Sequence, residues 1–444
     1  LPRPILSIDP LLLQIYLVRQ LYSLLLWILL PAILVRLLWR SIRNPKYRRR
    51  WGERFGQINC DEYGYDIWLH AVSMGETNAA TPLVHELLRR HPDLRILITT
   101  MTPTGSDRVF STFGDSVGHS YAPYDYSFAV QRFLNRVQPG VLVLIETEIW
   151  PNTIHLCSVR NVPVVMLNVR LSEKSRRNYQ RIAWLLRPTL HRIERFGVQS
   201  EKHRQRLIDL GVQPSNVYRT GSMKFETKLA AGVREVAEAV RQDWGRDRLV
   251  IVAGSTHEGE EEILLRIFQQ LKSTHSELLL VIAPRHPERF DAVFRLAARS
   301  DLVTSRRTEQ QGTLPNTVDI LVADTLGELP VLYSAADIAF VGGSLIRGMG
   351  GHNILEPCAV GVPAVFGSVM PNFEEISHIA TTSKAGIQAR DPRDLEVQLS
   401  MLLSNPNLRA SMGERGIGMV AENSGATEQS LQILLPLIDH RIRY

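Results

Sequence analysis

Cysteine is scarce: Cys60, Cys157 and Cys358 are the only three in 444 residues, far apart and without C-x-x-C spacing. That excludes a disulfide framework and a thiolate metal site, and predicts isolated reduced thiols in a cytoplasmic fold. No G-x-x-x-x-G-K-[ST] occurs, so an NTPase phosphate loop is excluded. H-E-x-x-H, paired Cys/His clusters and Asp-x-Asp on an exposed turn are also missing, and no metal or other cofactor is expected. His70, His257, His286 and His352 lie in separate motifs, too scattered in the sequence to predict a shared zinc site. Net basic charge is absent from the body of the chain. The first 54 residues hold ten Lys/Arg and two acids, a net of +8, which leaves the other 390 at −2 against a total of +6. A nucleic-acid enzyme needs cations along its working surface, so no nucleic-acid partner is expected.

Only one long apolar run is present. It starts at Leu11, and its uncharged centre, Leu21 to Val35, lies between Arg19 and Arg36. Fifteen residues at ~1.5 Å each reach about 22 Å as a helix, short of a ~30 Å hydrocarbon core. Snorkelling arginines extend that reach, so both spanning and lying in the membrane stay open. Arg36, Arg40, Arg43, Lys46, Arg48, Arg49 and Arg50 follow. Such a cluster belongs beside anionic lipid headgroups on the cytoplasmic side of an inner membrane. The charges follow the apolar run and no small-residue cleavage site appears, which disfavours a cleaved signal peptide.

After Trp51, short β-rich runs alternate with helical stretches. Strands are predicted at 67–72, 94–99, 141–145, 162–167 and 196–199. After a charged, Ala-rich helical stretch at 225–244, more follow at 249–253, 278–283, 320–323, 338–341 and 364–366, and polar helices from about Asp394 close the chain. This rhythm predicts an α/β protein of two doubly wound, Rossmann-like domains facing a cleft. The expected division is a membrane-anchoring segment over 1–50, a first domain over 51–224 and a second over 225–444, whose last helix is able to pack back on the first. Ligands in such sheets bind beyond the carboxyl ends of the strands.

The motifs sit at those ends. In His70-Ala-Val-Ser-Met-Gly-Glu76, Gly75 permits close backbone approach and Glu76 stands at a helix start. It is either a proton acceptor for an attacking hydroxyl or an acid that only favours the helix dipole. Glu146 and Glu148 follow an apolar strand and face a cavity or a partner, with a helix cap accounting for Glu148 better than for Glu146. Gly254-Ser-Thr-His-Glu-Gly-Glu-Glu261 suits a phosphate or sugar oxygen, its glutamates reading as ordinary first-turn acids. Arg285, just after a strand, is placed to grip a phosphate through paired hydrogen bonds. Gly342-Gly-Ser-Leu345 and Gly350-Gly-His-Asn-Ile-Leu-Glu356 form a glycine-rich loop running into a helix, where Glu356 can accept from ribose hydroxyls. A glycine loop followed by an acid at a helix start, late in a second Rossmann-like domain, indicates a nucleotide-sugar transferase of the GT-B type.

Taken in order, several strings resemble the Kdo (3-deoxy-D-manno-octulosonic acid) transferase family. They are Arg48-Arg-Arg-Trp-Gly-Glu-Arg-Phe55, Trp68-Leu-His-Ala-Val-Ser-Met-Gly-Glu76, Thr99-Thr-Met-Thr-Pro-Thr-Gly-Ser106, Glu146-Thr-Glu-Ile-Trp-Pro-Asn152, Gly221-Ser-Met-Lys-Phe225, Ser255-Thr-His-Glu-Gly-Glu260, Pro284-Arg-His-Pro-Glu-Arg-Phe290 and Gly350-Gly-His-Asn-Ile-Leu-Glu356. The resemblance implies a metal-free, inverting transfer of Kdo from CMP-Kdo to the lipid A precursor of lipopolysaccharide. It implies Glu76 as general base and Glu146 and Lys224 as transition-state stabilisers. It assigns CMP binding to Pro284 and Arg285, to the Leu326-Gly327-Glu328 turn, and to Asn353, Ile354, Leu355 and Glu356. Another GT-B transferase using a UDP-sugar, a related epimerase, and a membrane-bound scaffold with a vestigial pocket are the alternatives.

Overall fold

The computed structural model describes residues 10–58, 64–226, 232–310 and 312–442. Cys60 lies outside them, as does the start of the helical stretch expected at 225–244; Cys157 and Cys358 are buried free thiols. Two compact units result. One runs to Glu226 and resumes at Ser424; the other is Thr227–Asn423.

In the first unit, β1 (Ile67–His70), β2 (Ile96–Thr100), β3 (Gly118–Tyr121), β4 (Val141–Ile145), β5 (Val164–Val169), β6 (Arg195–Val198) and β7 (Val217–Arg219) form a parallel sheet ordered β3-β2-β1-β4-β5-β6-β7. β1, β2, β4 and β5 are buried along their whole length, as apolar strands covered on both faces must be. The order reverses between β1 and β4, so the loops carrying Glu76 and Glu146 flank the switch point of the sheet. The closing helix, Ala426–Ile442, seals one face by burying Leu431, Ile433, Leu434 and Ile438 beside Leu83 and Ile98.

The second unit repeats the plan with β8 (Val250–Thr256), β9 (Leu279–Pro284), β10 (Thr304–Arg306), β11 (Ile320–Val322), β12 (Ile338–Val341), β13 (Ala364–Phe366) and β14 (Gly386–Gln388), ordered β10-β11-β9-β8-β12-β13-β14. Its reversal lies at β8, so the loops after β8 and β12 mark the switch point. β8 runs three residues further than expected. Ser255 takes a left-handed φ of 55° where the register with β9 shifts, which places Gly254-Ser255-Thr256 on a bulged strand end instead of in a loop.

Helix α1 (Pro10–Arg43) belongs to the first unit. Its segment Leu17–Ile42 is long and apolar enough to cross a membrane by length and composition. Yet its middle is tied to the sheet domain by polar groups. Tyr22 Oη donates to Asp125 (3.0 Å), Ser23 Oγ to Asn152 Oδ1 (3.2 Å), and Tyr126 Oη to the Leu26 carbonyl (2.8 Å). Leu37 and Ser41 are buried, while Leu24, Leu25, Ile28 and Leu29 stay exposed. The basic cluster is partly turned inward. Lys46 pairs with Asp107, and Arg50 pairs with Glu53 and lies over the Tyr121 ring. Arg50 is thereby held within the protein, whereas the Lys46–Asp107 pair stays exposed at the surface.

Candidate active site

In the first unit, helix α2 (Met74–Arg90) is capped by Ser73, whose hydroxyl accepts from the Glu76 N–H (3.4 Å). The Glu76 carboxylate returns the favour as a capping box, accepting from Val72 N–H (2.6 Å) and Ser73 Oγ (3.0 Å). The helix-start role is therefore real, but it does not exhaust the residue. Glu76 is buried, and burial together with the neighbouring Glu148 and Glu146 pushes its carboxyl up to about 8, against the bonds from Val72 and Ser73. Each oxygen keeps an unused lone pair. A Cβ at Gly75 would meet nothing nearer than Ser73 Oγ at 3.7 Å, so packing does not demand glycine there.

Glu146 follows β4 with a left-handed φ of 63°, a strained backbone that turns its side chain out of the strand line. Its carboxylate lies 3.4 Å from Lys224 Nζ. Lys224 sits in a short 3-10 turn, Met223–Phe225, which the side chain of Asn168 holds by accepting from Met223 N–H (3.1 Å). Asn168 is itself left-handed (φ 57°). Glu148 accepts from the Trp150 indole (2.8 Å), and burial followed by Glu146 raises it to about 7. Thus Glu76, Glu146 and Glu148 form one acidic cluster with Lys224 at its edge. Glu148 is no mere cap, because its charge is the largest electrostatic influence on Glu76.

In the second unit, the expectation for the glutamates after β8 is corrected. Glu260 is fully buried and accepts from four backbone N–H groups: His257 (3.0 Å), Gly343 (2.7 Å), Ser344 (2.9 Å) and Leu345 (2.9 Å). It clamps the glycine loop after β12. Glu261, also buried, pairs with Arg289 at 2.6 Å. Glycine is required at Gly342, where a Cβ would lie 2.5 Å from the Ser255 carbonyl oxygen. The histidines are not all scattered either. His257 and His352 lie edge to edge in parallel planes, with ring centroids 5.1 Å apart and Nε2 atoms in hydrogen-bond contact at 2.8 Å, and His286 stands edge-on to His257; His70 lies in the other unit. Burial, then His257 and Arg285, lowers His352 to about 4, and burial lowers His257 as well.

Arg285 follows β9, its N–H bonded to the Thr256 carbonyl (3.0 Å). Glu356 is half-buried and accepts from Asn353 Nδ2 (3.2 Å). Its carboxyl is raised by burial and drawn back by Asn353 and Arg285, which puts Glu356 in the field of Arg285. The helix opens at Leu355, later than expected, with Asn353 Oδ1 accepting from its N–H (3.1 Å). Pro284 closes β9 and Ile354 is buried behind the loop. Leu326 is exposed, Gly327 has a φ of 82°, and Glu328 takes Thr325 Oγ1 (2.5 Å) and Arg307 (3.4 Å). That turn leads into a helix (Leu329–Ser334) lying against Gly254 at the end of β8. Among the described residues no group of three or more His, Cys, Asp or Glu side chains is arranged to hold a metal.

Two parallel seven-stranded sheets with polar clusters at their switch points define a glycosyltransferase of the GT-B type. The UDP-GlcNAc 2-epimerase of Neisseria meningitidis shares this architecture, with a TM-score of 0.57 at 14% identity over 83% of this chain and 99% of that one. Residues 49–227 match the family model for 3-deoxy-D-manno-octulosonic-acid transferase, and residues 241–419 that for glycosyl transferases group 1. The 3-deoxy-D-manno-octulosonic acid transferase of Haemophilus influenzae is 38% identical over 96% of this chain and all of its own length. That of Bordetella pertussis is 35% identical over 83% of this chain and 86% of its own. The chain belongs to the 3-deoxy-D-manno-octulosonic acid transferase family.

Proposed function

We propose that the protein transfers Kdo from CMP-Kdo to a lipid A precursor, with inversion at the anomeric carbon and Glu76 as general base. The observation that carries this reading is the acidic cluster of the first unit. A buried carboxylate raised to about 8, bonded to its own turn and therefore fixed in direction, is suited to take a proton from an attacking hydroxyl. Lys224, beside Glu146, supplies positive charge for the carboxylate or phosphate of the donor. In the second unit, the Glu260-clamped glycine loop and Arg285 receive the CMP phosphate, and Glu356 the ribose hydroxyls. Departure of CMP breaks the bond from the anomeric carbon to the phosphate oxygen. The acceptor oxygen forms the new bond from the opposite face, and its proton passes to Glu76. No metal enters the scheme, since Lys224 and Arg285 bring the positive charge.

Mass spectrometry of products from CMP-Kdo and a tetra-acylated lipid A precursor, with CMP release followed alongside UDP-sugars, tests the proposal. The expected result is an acceptor heavier by Kdo and release of CMP only. Turnover of a UDP-sugar with CMP-Kdo untouched would reject it in favour of another GT-B activity.

The same reading places the protein on the cytoplasmic face of the inner membrane with α1 lying in the interface. Support comes from the polar ties at the helix centre, which suit an in-plane helix and would be stranded at mid-bilayer. A Leu24→Glu/Ile28→Glu double variant alters only side chains that are 57% and 64% exposed. It is expected to leave anionic vesicles for the supernatant with its melting temperature unchanged. Continued co-sedimentation would show that another surface holds the membrane.

A further inference from the structure

Between α1 and the sheet of the first unit lies a cavity of about 350 Å³ that the catalytic scheme leaves unused. That is more than twenty times the roughly 10–15 Å³ that admits one water. Its α1 wall carries Leu26, Ile33 and Leu37, and it extends to Val72, the residue whose N–H holds the Glu76 carboxylate. Three guanidinium groups line it: Arg36 and Arg40 from α1, and Arg54.

Arg54 is the unusual one. Its side chain is 2% exposed, yet among the described residues no carboxylate pairs with it. Both terminal nitrogens donate to a single oxygen, the Met101 carbonyl (3.1 and 3.2 Å), Nε has no partner, and the charge rests over the Tyr121 ring at 4.2 Å. Buried arginines are ordinarily paired, because an uncompensated charge in an apolar setting is costly. The carboxylate in the same wall, Asp125, is occupied: it accepts from Asn152 N–H, from Thr153 N–H and hydroxyl, and from Tyr22. A cavity that brings the apolar side chains Leu26, Ile33 and Leu37 together with the guanidinium groups of Arg36, Arg40 and Arg54 fits a ligand that is greasy and anionic at once.

We propose that this cavity seats the acceptor, an acylated sugar phosphate, with its phosphate toward Arg54 and an acyl chain along Leu26, Ile33 and Leu37. The assignment rests on the transfer reaction proposed above. It explains why α1 lies along the domain: the helix is one wall of the acceptor site as well as an attachment to lipid. The fork of a guanidinium matches a phosphate in two parallel hydrogen bonds.

The test compares KM values of full-length protein for three acceptors: the acylated bisphosphorylated disaccharide, its dephosphorylated form and its deacylated form. Arg54→Gln is expected to raise KM for the phosphorylated acceptor about 10-fold or more and leave the dephosphorylated one within about twofold. Ile33→Trp, which fills the cavity from α1, is expected to raise KM about 5-fold for the acylated acceptor and spare the deacylated one. If Arg54→Gln fails to fold, Arg36→Gln/Arg40→Gln takes its place beside Ile33→Trp. Equal changes for all three acceptors, or none, overturn the proposal. So does loss of binding to phosphatidylglycerol vesicles by Arg54→Gln with acceptor discrimination intact, since the cavity would then hold bulk lipid. Failure of the wild type to modify any acceptor would instead reject the transfer reaction itself.

Discussion

Glu76→Gln is expected to fold and to lose about 10²–10⁴-fold in turnover, the range of a positioned base. Glutamine keeps an oxygen for the Val72 N–H, so the turn survives while the proton acceptor is gone. In the wild type, kcat/KM should climb with pH and level off above about 8, where the Glu76 carboxyl ionises. Glu148→Gln deletes the main negative neighbour and should move that limb to lower pH. The limb belongs to the whole carboxylate cluster, since Glu148 titrates near 7. Stability has the opposite slope. A carboxyl ordinarily at 4.5 and held at about 8 in the fold keeps its proton across that window. Folding is therefore favoured at the acid end and weakened as pH rises through it. Glu76→Gln should flatten that decline in thermal melts from pH 5 to 9. CMP release at near-wild-type rate by Glu76→Gln would remove the residue from the role.

Glu260→Ala carries the largest expected structural effect. Removing it leaves four backbone N–H groups of two loops without their acceptor inside a closed setting. The loss should be on the order of 3–5 kcal/mol, as for a broken buried ionic network. For a unit of this size that lowers its melting transition by roughly 10 °C or more. The glycine loop should lose its shape as well, so CMP should no longer raise the melting temperature. Calorimetry with and without CMP checks both effects. An unchanged melt with normal CMP stabilisation would show that the loop holds itself.

What the sequence disclosed divides by the range of the interactions involved. β1, β4 and β12 are legible because strands buried on both faces are continuous apolar runs. β3 (Gly-His-Ser-Tyr), β10 (Thr-Ser-Arg) and β14 (Gly-Ile-Gln) are not, being short and polar at or near sheet edges. Glu76, Glu146 and Arg285 stand at strand ends and announce themselves by position. Glu260 reads as a first-turn acid because its partners Gly343 to Leu345 lie more than 80 residues away. Asn168 is hidden likewise, a lone asparagine ending an apolar strand whose purpose is visible only when Met223 is beside it. Arg54 follows closely on the basic run that ends at Arg50, and nothing local reveals that it is buried. The hydrogen-bonded pairing of His257 with His352, 95 positions apart, is equally beyond any motif.

The first unit is interrupted at Glu226 and completed only from Ser424 onward. A ribosome delivers the seven strands of its sheet long before it delivers Leu431, Leu434 and Ile438, which cover one apolar face. For nearly two hundred residues of synthesis that face lacks this part of its cover, so the nascent chain is exposed to chaperones and proteases until the helix emerges. A truncation that removes Ala426–Ile442 would thus leave the first unit without part of its apolar cover, not merely shorten a tail.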